Sequence, residues 1–345
     1  MKGTRNLRLV VAALLASAVV LASGCGSGSS GGTSNAPAAT GGGSSSAASS
    51  LKVGLVTDIG GLNDRGFNHL AYVGVQRAAS RLGVQTRVLE SHSNSDYIPN
   101  LQELGQQDDL IVTNGFLMGD ATATAAKAFP QRHFAIIDYA YSKPIPNVVG
   151  LIFKEQQAGY LAGYLAGLMT KTNIVSTVGG QDIPPVDHYI AGFQAGAKAA
   201  NPKVKTLNAF SATFTDQAPC KQLALQQIAS GSDIVFQVAG GCGLGALDAA
   251  KEKGVWGIGV DADQSYLGSY ILTSALKRVD VAVYDTIKDA TQGKYSSGVR
   301  LFELKNNGVG LGKINPKVPK SDVAKVMAQK QKILAGKISI PDTLG

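Results

Sequence analysis

From Leu51 onward the chain alternates between short runs that are apolar at nearly every position and longer stretches whose apolar residues recur at helical spacing. The runs are "LKVGLVTD", "VQTRVLES", "DLIVTNG", "HFAIIDYA" and "NVVGLIF", and between them lie amphipathic segments such as Phe67–Leu82 and residues 121–129. A strand that is apolar throughout is covered on both faces, and helices between such strands are the crossovers that parallel pairing requires. The pattern therefore predicts an α/β fold. Near Gly159 the small-residue stretch "AGYLAGYLAGLMT" predicts a closely packed helix, after which the pattern restarts. "NIVSTVGGQD", the helix "DHYIAGFQAGAKAANP", "VKTLNAF", "DIVFQVAGG" and "VWGIGVDAD" follow in order. The opening units of the two halves both run strand, Gly-rich turn, helix and small-residue exit. Two similar doubly wound lobes with a cleft between them are expected, with one large sheet as the alternative. Lobe 1 is assigned to residues 51–153, with part of about 275–300 returning to it, and lobe 2 to residues 154–274. Residues 301–345 form a C-terminal crossover and tail.

The first fifty residues follow different rules. A basic start (Lys2, Arg5, Arg8) leads into an apolar run over residues 9–22, then small residues and Cys25. That run is short of the roughly 20 residues a membrane-spanning helix needs, and its three-part layout is that of an export signal over residues 1–24. The alternative is an uncleaved anchor. The ending "LASGC" resembles a bacterial lipoprotein signal, which would make Cys25 the lipid-bearing first residue of the mature chain. Residues 26–50, rich in Gly and Ser and without charge, read as a flexible tether with a reach of roughly 25–30 Å. Of the formal charge of +8, the leader supplies three, leaving +5 spread without a Lys/Arg cluster. Such a balance argues against a nucleic-acid partner.

In open α/β sheets, ligands sit beyond the carboxyl ends of the strands. The polar residues placed there are Asp58, Asn114, Asp138, Asp182, Asp216, Gly240 and Asp261. Catalytic signatures are missing: the folded part has no phosphate loop of the GxxxxGK[ST] type and no GxSxG elbow. His69, His92, His133 and His188 lack zinc spacing, and "DADQSY" fails as a calcium loop at Tyr266 and Leu272. Gly241, Gly243 and Ala246 match a GxGxxA dinucleotide fingerprint, with Asp261 at the ribose-binding distance. An exported protein meets no nicotinamide pool, so that reading is set aside. The expectation is a binding protein with no enzymatic activity, no metal and no cofactor.

"VTDIGGLNDRGFN", "FAIID", "FKEQQAGYLAGYLAG", "VGGQDIP", "FQVAGGCG", "GVDADQ", "LTSALKRVDVAVYD" and "GKISIP", spread over residues 51–341, resemble the basic membrane protein family of bacterial lipoproteins. That family includes purine nucleoside receptors of ABC transporters. The resemblance implies a type I periplasmic-binding-protein fold, in which two lobes close on a ligand and deliver it to a permease. It implies a purine base held between Phe67 (followed by Asn68 in the "GFN" turn) and Phe214, with Asp138 reading the base. Asp58, Gly240, Asp261 and Lys277 would serve the sugar. Two departures are visible: Gly66 stands where the family has Ser, and the turn "ATFTDQAPCKQ" is reshaped. Taken singly, the alternatives are Phe67 as a helix-start residue, Asp58 or Asp138 as helix caps, Phe214 as core and Lys277 as a surface lysine. The implied partners are a purine nucleoside, ABC permease subunits and the membrane lipid, for a monomer anchored on the extracytoplasmic face. Alternatives are a receptor for another small polar solute, such as a sugar or signal molecule, or a membrane-attached sensor. Finally, Cys220 and Cys242 both follow strand ends on one edge of lobe 2. In an exported chain they are expected to pair as a disulfide, with two buried free cysteines as the alternative.

Overall fold

A computed structural model describes residues 50–344; the leader, Cys25 and the tether through residue 49 lie outside the described residues. Two six-stranded sheets carry the fold, which rules out the single large sheet. The first is built from β1 (Lys52–Thr57), β2 (Gln85–Leu89), β3 (Leu110–Asn114), β4 (His133–Ile137), β5 (Val148–Phe153) and β11 (Gly298–Phe302). All its pairings are parallel, in the order β11-β5-β4-β3-β1-β2. The second contains β6 (Ile174–Gly179), β7 (Lys205–Phe210), β8 (Ile234–Val238), β9 (Trp256–Asp261), β10 (Ile271–Lys277) and β12 (Val309–Leu311). Its order is β12-β10-β9-β8-β6-β7, parallel except for the short edge strand β12. The two orders correspond strand for strand, so β4 and β9 hold the same place in their sheets, as do β5 and β10.

Central strands such as β3 and β8 are buried at every position, which is why their sequences are apolar without alternation. Helices cover both faces of each sheet. On the first these are α1 (Phe67–Leu82) and α8 (Val279–Thr291) on one side, α2 (Tyr97–Gln107) and α3 (Gly119–Ala128) on the other. On the second they are α4 (Glu155–Met169) with α5 (Pro184–Ala200), and α6 (Gln217–Ala229) with α7 (Gly243–Lys253). The small-residue stretch is α4, and its glycines lie against the α5 backbone just as the α5 glycines lie against the α4 backbone. A Cβ at Gly163 would overlap the Phe193 carbonyl, and one at Gly196 the Tyr160 carbonyl.

The chain passes between the sheets three times: from β5 through α4 to β6, from β10 through α8 to β11, and from β11 to β12. The return to the first sheet begins after Lys277, the last residue of β10. The hydrophobic pattern did not reveal α2, α6, β10, α8, β11, β12 or α9 (Lys320–Leu334). β11 is a half-exposed edge strand, and α9 buries only Val326 and Ile333.

Candidate functional site

The carboxyl ends of the two sheets enclose a narrow cavity of about 70 Å³. Its first wall is Asp58, Gly60, Asp64, Phe67, Asn68, Gly115, Phe116, Leu117 and Asp138. The opposite wall is Ile183, Pro185, Val186, Tyr189, Phe214, Val238, Gly240, Val260, Asp261 and Lys277. All eight residues expected at a ligand line it. Asn114, Asp182 and Asp216 do not: Asn114 lies behind the wall, Asp216 caps α6 by accepting from Ala218 N, and Asp182 faces Asp187.

The β1–α1 loop shows how the first wall is fixed. Asp64, not singled out from the sequence, accepts from the backbone N–H groups of Gly66 (2.9 Å), Asn68 (2.7 Å) and His69 (3.1 Å). A carboxylate there satisfies donors that a helix N-terminus leaves unpaired, and it sets Phe67 as the first residue of α1. Asn68 Nδ2 donates to Asp58 Oδ1 at 2.7 Å, and Asn114 Nδ2 donates to Asn68 Oδ1 at 2.8 Å. Asn68 thus spends its polar groups on holding Asp58. Gly115, at φ 130°, lets Asp58 lie against the backbone: a Cβ there would come within 2.7 Å of Asp58 Oδ2.

Asp138 follows β4 and Asp261 ends β9, equivalent places in the two sheets. Both have left-handed backbones, at φ 67° and 62°, a region that few non-glycine residues adopt and that often marks functional sites. Lys277, only 2% exposed, is a buried strand-end residue. Its Nζ donates to Asp138 Oδ2 at 2.5 Å and lies 2.7 Å from Glu155 Oε1. The same nitrogen stands 5.1 Å from the Phe67 ring centre. Asp138 Oδ1 is buried with no hydrogen-bond partner among the described residues. Tyr189 donates its hydroxyl to Asp261 Oδ1 at 3.2 Å.

Phe214 lies in the reshaped turn after β7. Its ring rests on Gly180, where a Cβ would collide with it, and its carbonyl accepts from Cys242 N at 2.9 Å. Cys242 is bonded to Cys220, with Cα atoms 5.7 Å apart, so a covalent link backs the turn. The glycines of the dinucleotide-like motif serve packing. Gly243 accommodates the Gln237 side chain, and Gly241 lies beside the Phe214 carbonyl, 3.3 Å from where its Cβ would stand.

The family model for PnrA-like ABC transporter substrate-binding proteins, Bmp, matches residues 51–344. The chain belongs to the Bmp family. It is 35% identical over 317 residues to the ABC transporter nucleoside-binding protein BmpA of Lactococcus lactis, covering 85% of this chain and 90% of that one. It is 36% identical over 277 residues to an uncharacterized lipoprotein of Pyrococcus horikoshii, covering 76% of this chain and 68% of that one. Among solved structures, an ABC transporter solute-binding protein from Aeropyrum pernix superposes with a TM-score of 0.76 at 28% identity, covering 86% of this chain and 94% of that chain. The architecture is that of a type I periplasmic-binding protein. As a Bmp-family member the protein has a substrate-binding role in ABC transport, which brings a solute ligand and permease partners.

The electrostatics of this Bmp-family cavity are lopsided. Asp58, Asp64, Asp138 and Asp261 line it, with Glu155 just behind, against the single ammonium of Lys277. Burial pushes Asp58 up to about 6 against the opposing hydrogen bonds from Asn68 and Gly60. Burial likewise pushes Asp261 up to about 7, partly offset by Lys277. Asp138 is raised by burial in the same way. Burial alone would lower Lys277, but Asp138, Glu155 and Asp261 outweigh it and hold the ammonium charged. The wall is therefore rich in acceptors and suits a ligand that offers N–H and O–H groups between aromatic faces. No group of His, Cys, Asp and Glu among the described residues is arranged to hold a metal ion. Sequence reasoning missed Asp64, Phe116, Glu155, His188 and Tyr189. Asp64 alone left a signal, an acid just ahead of an amphipathic run.

Proposed function

We propose that this Bmp-family protein is the substrate-binding lipoprotein of an ABC importer and that it binds purine nucleosides in the cleft, without chemistry. The observation that carries this reading is the cavity wall itself. Phe67 and Phe214 line it from opposite lobes, and Asp138, in the same wall, has Oδ1 as a buried acceptor with no partner among the described residues. Aromatic stacking is worth roughly 1–3 kcal/mol per base and tolerates either purine. Asp138 then accepts a ring N–H, while Asp261, Lys277, Gly240 and Asp58 serve the ribose. The naming of the Lactococcus lactis relative as a nucleoside-binding protein supports the same ligand class. At about 70 Å³ the cavity is smaller than the roughly 300–1,000 Å³ of ordinary ligand pockets. Entry therefore requires the lobes to part at the three crossings, and the permease reads the reclosed form.

Calorimetry of adenosine against adenine tests the reading. Removing the ribose forfeits at least two hydrogen bonds to charged groups, so adenosine should bind at least roughly a hundredfold more tightly. Asp261→Ala should bring the two affinities together. Equal binding of nucleoside and base by the wild type would transfer the site to another ligand class.

A further inference from the structure

A chain of contacts leads from the cavity wall to the surface. Lys277 Nζ meets Asp138 Oδ2 at 2.5 Å and Glu155 Oε1 at 2.7 Å, and Glu155 Oε2 meets His188 Nδ1 at 3.1 Å. The side chains of Asp138, Glu155 and Lys277 are no more than 4% exposed, whereas His188 is 27% exposed. Neither Glu155 nor His188 lines the cavity. The chain also follows the crossings, since Glu155 opens α4 within the first and Lys277 closes β10 just before the second.

With Asp138 as its only partner, a buried ammonium would neutralise that carboxylate and leave it a weak acceptor. Glu155 changes this by accepting from a second N–H of the ammonium. Its charge leaves the set of Asp138, Lys277 and Glu155 net negative, so Asp138 Oδ1 remains a strong acceptor. His188 fixes the Glu155 carboxylate from the far side and, when protonated, offsets its charge.

We propose that Glu155 and His188 are positioning residues for the ligand site: Glu155 holds Lys277 so that Asp138 keeps one oxygen free for a ligand N–H or O–H, and His188 makes that hold depend on pH. The charged and titratable groups around the chain are Asp138 after β4, Asp261 on β9, Asp187 and Tyr189 on α5, and Asp342 in the C-terminal segment. Burial lowers His188, but Glu155 and then Asp342 outweigh it and Lys277, and keep the imidazole above its ordinary range. As pH rises and His188 loses its proton, Glu155 draws on Lys277 with its full charge and Asp138 is released as an acceptor. Asp138 and Asp261 lose their own protons in the same direction. Ligand affinity therefore rises with pH across neutrality.

The test has one arm without ligand and one with it. The ring protons of the four histidines are titrated by NMR, with His188 assigned by its loss in His188→Gln. In the unliganded wild type its midpoint should lie above the ordinary imidazole value. Glu155→Gln should lower that midpoint by about one pH unit, a tenfold change in proton affinity. Asp138→Asn, on the far side of Lys277, should lower it as well. The ligand arm rests on the nucleoside reading and uses inosine. Glu155→Gln should weaken binding at least tenfold at pH 8, Glu155→Asp should recover most of it, and His188→Gln should flatten the dependence between pH 6 and 8. A His188 midpoint indifferent to both Glu155→Gln and Asp138→Asn overturns the proposal. If the wild type binds no nucleoside, the nucleoside reading fails and the titration arm alone decides this one. Should Glu155→Gln not fold, the Asp138→Asn midpoint decides, and an unchanged pH profile in His188→Gln counts against the proposal.

Discussion

Asp138 and Asp261 are the same residue type, in the same left-handed conformation, at equivalent places in two sheets. Each holds a buried carboxyl group ready for a donor that the protein itself does not supply in full. Such strain and burial cost stability, of the order of 1–3 kcal/mol for each backbone and more for each charge. The sign of the pH dependence follows from Asp261, which is raised from 3.8 to about 7 by burial. The folded state then holds a proton that the unfolded state has already lost, so the stabilisation is full below about pH 4 and is lost as pH rises towards 7. Thermal unfolding of the unliganded protein should show Asp261→Asn losing less stability than wild type between pH 5 and 7.5, the difference reaching about 2–3 kcal/mol. Identical slopes would mean that the charge is not felt as buried. These two acids were legible in the sequence because strand ends are where α/β proteins keep their chemistry. Glu155 and Tyr189 were not. Their partners lie in distant segments, and nothing near either residue in the chain announces a meeting that only the fold creates.

Among the elements, the α4–α5 pair bears on the site because α4 begins with Glu155 and α5 carries His188 and Tyr189. Its contact is backbone against backbone, so it has no side chain that could give way. Gly163→Val should cost at least about 1–3 kcal/mol in urea denaturation, the range for overpacking. Gly310→Ala, where a Cβ meets nothing within 4 Å, should stay within about 0.5 kcal/mol. Equal effects would refute the close-packing account. The strands that were readable, β1, β3, β4 and β8, are buried along nearly their whole length. Those missed are the outer strands β11 and β12 and also the buried β10, whose run is interrupted by Thr273, Ser274 and Lys277; α2 holds Pro99 and Gly105 within its run, and α9 is polar enough to resemble a loop. Legibility thus followed burial only in part, since the half-exposed edge strands β2 and β7 were readable and the buried β10 was not. The Phe214 turn is a separate case: its two cysteines could be seen, but the way Gly180 supports the ring could not.

At the scale of the whole molecule, two lobes joined by three crossings are expected to sit on a lipid-bearing Cys25 through the tether. No described helix is long and apolar enough to cross a membrane, so attachment on this reading depends on that cysteine. Cys25→Ser should release soluble protein or leave an unprocessed precursor in fractionated cells. Unchanged attachment and processing would remove the lipoprotein reading. The crossings carry a further consequence for the order in which the molecule can be made. β11 and β12, at residues 298–302 and 309–311, are the last strands in the chain, and each is an outer strand of a different sheet. A polypeptide emerging N-terminus first from a ribosome or a translocation channel therefore cannot finish either lobe until residues near 300 have appeared. Both lobes are completed almost together, by one stretch from residue 298 to residue 311, late in emergence. Until then β5 and β10 lie at open edges, and the chain stays uncommitted for most of its passage.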